Sequence, residues 1–518
     1  MSTTTAGRAG AREWGGLAVL SLPTVLLGLD VTVLYLTLPS LAEDLRPSGT
    51  QELWIMDAYG FLIAGFLLTM GTLGDRIGRR RLLMIGAAAF GIVSVLAAYA
   101  TSADMLIAAR AALGVAGATL MPSTLALISN MFADQRQRSL AIGVWATSFA
   151  LGMALGPVVG GAMLNHFWWG SVFLLAVPVA VVLLVAAPLL IPEYSAPRSG
   201  RFDLISVTLS LLAVLPVVYA VKRFAKDGLD LPMVLAGLVG VVFAVLFVRR
   251  QDKLESPLLD VRLFANRTFS AALSVLLMGL VGVGGSMLLI TQQLQFVEGL
   301  APVEAGLWMG PPALMMFLAA IGSPLVARRV PPGLVVAATL VLSTVGYVLL
   351  ALVGPSGGIA LMVVGFGLVY LGLGAIAALG TDLVVGAAPP EKAGSASAMS
   401  ETVQELGLAL GVAILGSLAT AVYRSRIADE IPVGTPSGVA DAAGDSLAGA
   451  VASAQQMPAG WLDLAKEAAT SGMNTAMVVA AACTAVLAVL SAVVLRHVGA
   501  IGDEAEPAAE SLPAESQV

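Results

Sequence analysis

Apolar runs long enough to cross a lipid bilayer recur along almost the whole length of this chain, and they leave few folds open. About 20 helical residues span ~30 Å of hydrocarbon. Runs of that order occur at approximately 15–41, 51–72, 83–101, 104–128, 139–164, 170–191, 203–221, 231–248, 269–296, 303–327, 333–353, 358–385, 394–422 and 473–496. In hydrocarbon a backbone must satisfy its own hydrogen bonds, so runs of this length predict helices. Composition agrees, since only 12% of residues are charged against ~25% in ordinary soluble domains. The expectation is an all-α membrane protein of fourteen transmembrane helices. Residues 1–14 are polar and the first apolar run is long, so no cleavable signal is expected.

The basic residues predict an orientation. Nineteen of the 27 Lys and Arg fall on the loops that share a side with the N-terminus, seven fall on the opposite loops, and Arg110 lies inside a run. This bias predicts cytoplasmic termini in the cell membrane. A Pro-, Ser- and Gly-containing stretch at 192–202 and a charged one at 249–267 divide the chain. The expected parts are a six-helix half (1–191), a linker with two extra transmembrane helices (192–267) and a second six-helix half (268–497). An acidic cytoplasmic tail (498–518) reads as disordered. The long outer loop at 423–471 has a weakly helical, amphipathic stretch; an ordered lid and a flexible surface loop both fit it.

A lone cysteine, Cys483, excludes a disulfide framework and a cysteine-based metal site. His166 and His497 fall near expected helix ends and read as interfacial residues, so no metal is expected. No phosphate-cradling glycine loop points to ATP, and no Ser/His/Asp constellation points to an enzyme. No cofactor and no nucleic-acid partner are implied.

Four acids stand in otherwise apolar runs: Asp30, Asp57, Glu401 and Glu405. A carboxylate at membrane depth costs at least ~2.5–3.5 kcal/mol, so such residues usually serve an ion or substrate path. Counting ~1.5 Å per residue puts Asp30, Asp57 and Arg110 roughly level in the outer half. Glu401 and Glu405, four residues apart, share a helix face. Arg110 is a candidate structural partner for Asp30. Removal from water favours the neutral form of an unpaired carboxylate, which suits reversible protonation. Tyr35, Trp54, Tyr59, Trp145, Phe149, Trp308, Met309 and Phe317 accompany these acids. They are candidates to line a site, because ring faces attract organic cations and methionine adapts to varied shapes; core or lipid-facing packing is the plainer reading of each.

One loop is more specific. Gly71, Leu73, Asp75, Arg76, Gly78, Arg79 and Arg80 fall in the order Gly-x-Leu-x-Asp-Arg-x-Gly-Arg-Arg. This resembles the signature loop of the major facilitator superfamily. A degenerate copy runs from Gly322 to Arg328 and Arg329, with Ala327 at the acid's place. The run from Arg110 through Gly114 and Gly117 resembles the family's membrane-arginine motif. Gly152, Gly156, Pro157, Gly160 and Gly161 resemble its antiporter helix-five motif, where proline and glycines allow bending and close packing. The stretches around Asp30, Asp57 and Glu401–Glu405 resemble those of fourteen-helix drug:proton antiporters, notably quaternary-ammonium efflux pumps, although that family has Asn where this chain has Tyr35.

The resemblance implies the major facilitator fold, two six-helix halves plus two inserted helices. It implies a proton-coupled antiporter that exports lipophilic, often cationic drugs by alternating access. Asp30, Asp57, Glu401 and Glu405 would bind protons and cations, Arg110 would support them, and the Gly71–Arg80 loop would gate the cytoplasmic side. The alternative within transport is export of a lipid, an endogenous metabolite or a neutral antibiotic.

Overall fold

A computed structural model describes residues 9–499 apart from 48, 165, 195–202, 228, 255–256, 258, 390–391, 429, 432–434, 459 and 497. The acidic tail from 500 onward and most of the 192–202 linker therefore lie outside the described residues. Helices follow one another as α1 (Ala11–Leu45), α2 (Gly49–Ile77), α3 (Arg79–Ala98), α4 (Ala103–Met131), α5 (Gln135–Leu164), α6 (Ser171–Leu174), α7 (Ala176–Leu190), α8 (Leu204–Asp227) and α9 (Leu231–Gln251). They continue as α10 (Arg267–Gln292), α11 (Pro302–Trp308), α12 (Gly310–Val326), α13 (Pro332–Ala351), α14 (Ile359–Ala375), α15 (Thr381–Gly386), α16 (Ala393–Ile427), α17 (Ser437–Asp445), α18 (Leu447–Ala452) and α19 (Trp461–Val494). Single π-helical turns extend α10 (Gln293–Val297) and join α14 to α15 (Ile376–Gly380). No strand occurs among the described residues.

Short polar residues start these helices where the sequence turns. Ser102 accepts from the Met105 N–H to cap α4, Asp230 from Met233 to cap α9, and Asn266 from Thr268 and Phe269 to cap α10. Twelve helices among the described residues are long and apolar enough to cross a membrane. Two of the expected spans are not in that set: 139–164, which falls in α5, and 203–221, which falls in α8, whose apolar stretch Ile205–Val221 is shorter.

One hydrophobic cluster unites α1 to α7 and takes in Ala377, Val385 and Ala393 of the second half, and two more unite α10 to α16 with α19. Helices α8 and α9 pack on each other, and α8 packs against both α2 and α16. Phe61 and Ala64 meet Val218 there, and Leu68 gathers with Phe247, Leu259 and Ala398. Arg250 Nη2 lies 2.8 Å from Asp203 Oδ2, tying the end of α9 to the start of α8.

The helices approach closest through glycine. A Cβ on Gly28 of α1 would overlap the Phe149 carbonyl of α5, and one on Gly152 of α5 would overlap the Val25 carbonyl. The other half repeats this, Gly411 of α16 lying against the Val281 carbonyl of α10 and Gly285 against that of Gly411. Helix α5 runs unbroken to Leu164, so Pro157 does not end it.

The region 423–471 departs from an unbroken loop. Helix α16 continues to Ile427, and the final helix begins at Trp461 rather than 473. Tyr423, Ile427, Ala443, Ala450, Trp461, Ala465 and Ala468 form a small core of their own. The Tyr423 hydroxyl donates to the Ala443 carbonyl (2.7 Å) and the Trp461 indole N–H to that of Glu430 (2.9 Å).

Gly152→Val should separate α1 from α5 and destabilise the protein by ~1–3 kcal/mol, the usual cost of overpacking. Thermal unfolding in detergent should show a clear loss; an unchanged midpoint would mean that this contact is not tight.

Candidate functional site

One of the expected acids, Asp30, is paired with a buried arginine. Arg110 sits in the first third of α4, only 2% exposed. Its Nη1 lies 2.6 Å from Asp30 Oδ2 on α1, and its Nε–H donates to the Ile55 carbonyl on α2 at 3.2 Å. The guanidinium also lies over the Tyr59 ring, 4.5 Å from its centroid. Arg110 is thus the structural partner of Asp30, at the level that helix counting predicts. A buried guanidinium needs such company, because an unpaired one would be far too costly.

Tyr59 carries the cluster toward the other half. It is buried, and its hydroxyl has no hydrogen-bond partner among the described residues. Asp30, Arg110 and Glu405 all act on it electrostatically. Glu405 belongs to α16, which packs on α2, α4 and α10. One turn away, Glu401 is 2% exposed, and Gln404 Nε2 donates to it at 3.4 Å. The two glutamates also interact electrostatically with each other. Asp57 falls in α2 between Ile55 and Tyr59, but its side chain and that of Tyr35 lie outside the described residues. On its other side Asp30 borders a void with Ser94, Phe90 and Val172 that has room for about one water.

The remaining aromatic candidates are dispersed. Trp145 is buried in the first half, its indole N–H donating to Thr124 Oγ1 at 3.0 Å. Phe149 and Met309 are half-buried. Trp54, which packs on Phe61, is exposed, as are Trp308 and Phe317.

The Gly71–Arg80 loop is tightly bonded. Arg79 is fully buried and its Nε–H donates to Asp75 at 2.9 Å. Its backbone N–H donates to the Tyr194 carbonyl, and that of Arg80 donates to Glu193 at 3.0 Å. Gly78 has φ +108°, and a Cβ there would come within 2.6 Å of Glu193 Oε1, so only glycine suits the turn. Asp75 also accepts from the backbone N–H of Ser395, in the first turn of α16. A helix N-terminus is a favourable partner for a carboxylate.

Three residues at this end escape the sequence reading. Arg138 Nε donates to Asp382 Oδ1 at 2.9 Å, and the Ser139 hydroxyl donates to Oδ2 of the same carboxylate. Asp382 stands within the apolar run 358–385, so it carries the same signal as the four acids singled out above.

Comparison with known proteins places this geometry. The chain matches the family model "Major Facilitator Superfamily" over residues 20–412. It is similar to the multidrug efflux pump LfrA of Mycolicibacterium smegmatis, 44% identical over 95% of this chain and 98% of that protein. It is similar to the methyl viologen resistance protein SmvA of Salmonella typhimurium, 36% identical over 86% and 90% of the two chains. A probable actinorhodin transporter of Streptomyces coelicolor is 32% identical over 79% and 72%. In fold it resembles the solved structure of the human organic anion transporter MFSD10, with a TM-score of 0.61 at 15% identity, covering 91% of this chain and 99% of that one. With the signature loop, the membrane arginine and a family model spanning most of its length, this chain belongs to the major facilitator superfamily.

Proposed function

We propose that this protein is a proton-coupled antiporter that exports lipophilic, often cationic compounds across the cell membrane. In this reading it crosses fourteen times, with α5 and α8 as true spans and both termini in the cytoplasm. Two six-helix halves (1–191 and 268–497) flank the α8–α9 pair, and they rock about a midplane site. The observation that carries the reading is the buried Asp30–Arg110–Tyr59 cluster, which lies within electrostatic reach of Glu405 on the other half.

Coupling is a competition for charge. A cation entering from the cytoplasm is attracted to the carboxylates of Asp57, Glu401 and Glu405, and its binding disfavours bound protons. Outside, protons return to the carboxylates and remove the attraction, so the cation leaves. Protonation of Asp30 removes its hold on Arg110, and the guanidinium is then free to shift against Tyr59. Aromatic faces accommodate flat cations, in keeping with a relative named for resistance to methyl viologen, a dicationic aromatic. The relative named as a probable actinorhodin transporter favours a second reading, export of a metabolite or neutral antibiotic.

Asp57→Asn and Glu405→Gln should each insert normally yet lose most cation-driven proton release, measured by a pH dye with purified protein. The double substitution Glu401→Gln/Glu405→Gln should be worse than either single change, since the two share a face. Wild-type release in either Asp57→Asn or Glu405→Gln would remove that residue from coupling.

Competition binding at fixed pH should separate the two substrate readings. Permanently cationic aromatics should bind at least ~10-fold more tightly than neutral analogues of equal size, a difference of about 1.4 kcal/mol. Equal affinities would favour the metabolite or neutral-antibiotic exporter.

The α8–α9 pair supplies a topological test. In a Cys483→Ser background, Asp227→Cys should react with an impermeant thiol reagent added outside intact cells. Labelling from the cytoplasmic face alone would reduce the count to twelve spans.

A further inference from the structure

The end of the bundle that bears the Gly71–Arg80 loop joins the two halves through carboxylates on both sides. On one side Asp75, at the end of α2, takes the Ser395 N–H of α16 and lies within electrostatic reach of Lys392. On the other side the chain departs from the pattern. The degenerate loop after α12 has Ala327 where the first half has Asp75, so the second half has no acid at that position.

Its carboxylate comes from a different element. Asp382 on α15 is 4% exposed and accepts from both Arg138 and Ser139, early in α5. Arg138–Asp382 is an ion pair that joins helices α1–α7 to helices α10–α19. Further along α5, a Cβ on Gly143 would overlap the Ala320 carbonyl of α12. The same stretch of α5 therefore bonds to α15 and closes on α12 with no space between them.

We propose that Asp382 is the second half's gating carboxylate. Held by Arg138 and Ser139, it stabilises the state closed at this end and must release α5 in every transport cycle, as Asp75 must release α16. While the halves are shut the pair is shielded from water. As α5 withdraws from α15 both charges regain hydration, so the contact biases the equilibrium without locking it. The proposal rests on the alternating-access part of the function proposed above and on neither proton coupling nor a cationic substrate.

The test is a distance measurement on the full-length protein in lipid nanodiscs. Spin labels would be placed on Ala133→Cys, before α5, and Arg329→Cys, after α12, in the Cys483→Ser background; positions 133 and 329 are exposed. Pulsed dipolar spectroscopy then reads the fractions closed and open at this end. Asp382→Asn and Arg138→Gln should each shift the open-to-closed ratio by roughly tenfold toward open and should slow efflux. A merely structural contact would lower the unfolding temperature and leave that ratio in place. An unchanged distance distribution in either variant overturns the proposal. Because the distances are read without a transport assay, the result stands apart from whether the substrate is a cation or the counter-ion a proton.

Discussion

Lipid tails are as apolar as leucine, so the hydrophobic effect gives membrane helices little reason to associate, and close van der Waals packing must do it. In this protein the tightest approaches are backbone on backbone: α1 against α5 through Gly28 and Gly152, and α10 against α16 through Gly285 and Gly411. The acids stand beside these contacts. Asp30 follows Gly28 by two residues, and Glu405 precedes by two residues Gly407, which lies against the Leu277 carbonyl of α10. A side chain next to a fixed backbone contact cannot slide along the membrane normal. The depth of the charges is therefore set by places where the neighbouring helix presses on the chain.

Around that frame the electrostatics are economical. One arginine, Arg110, serves Asp30 through an ion pair, Ile55 through a hydrogen bond and Tyr59 through its ring. Three helices of the first half thus share one buried charge, and loss of any partner would leave that charge less well compensated. Such a node couples chemistry to shape. Under the proposed function, a proton arriving at Asp30 would change what holds α1, α2 and α4 together, and both Asp30 and Glu405 of the opposite half act electrostatically on Tyr59.

The architecture was largely legible in the residues. Apolar run length located the helices, and the spacing of Gly71 to Arg80 singled out the bonded turn around Asp75. Depth made Arg110 a candidate partner for Asp30, because counting ~1.5 Å per residue puts the two roughly level in the outer half. Other features were hidden for physical reasons. The start of α19 at Trp461 is set by a small core with Tyr423 and Ala443, a tertiary contact that hydropathy does not report. Asp382 carried the same signal as Asp30 but gained meaning only once α5 placed Arg138 and Ser139 against it. Trp145 read as an aromatic candidate for the site, yet its bond to Thr124 gives it a place in the packing of α4 against α5.

The small core around Trp461 has a practical side. It is built on continuous extensions of α16 and α19, and α16 is the helix that carries Glu401 and Glu405. Whatever grips this cap therefore takes hold of the second half through the helix of Glu401 and Glu405. An antibody fragment raised against the cap would serve as a rigid fiducial for imaging a particle that otherwise has little mass outside the lipid. It would travel with the half that bears the glutamates, marking that half's tilt relative to the other in every image.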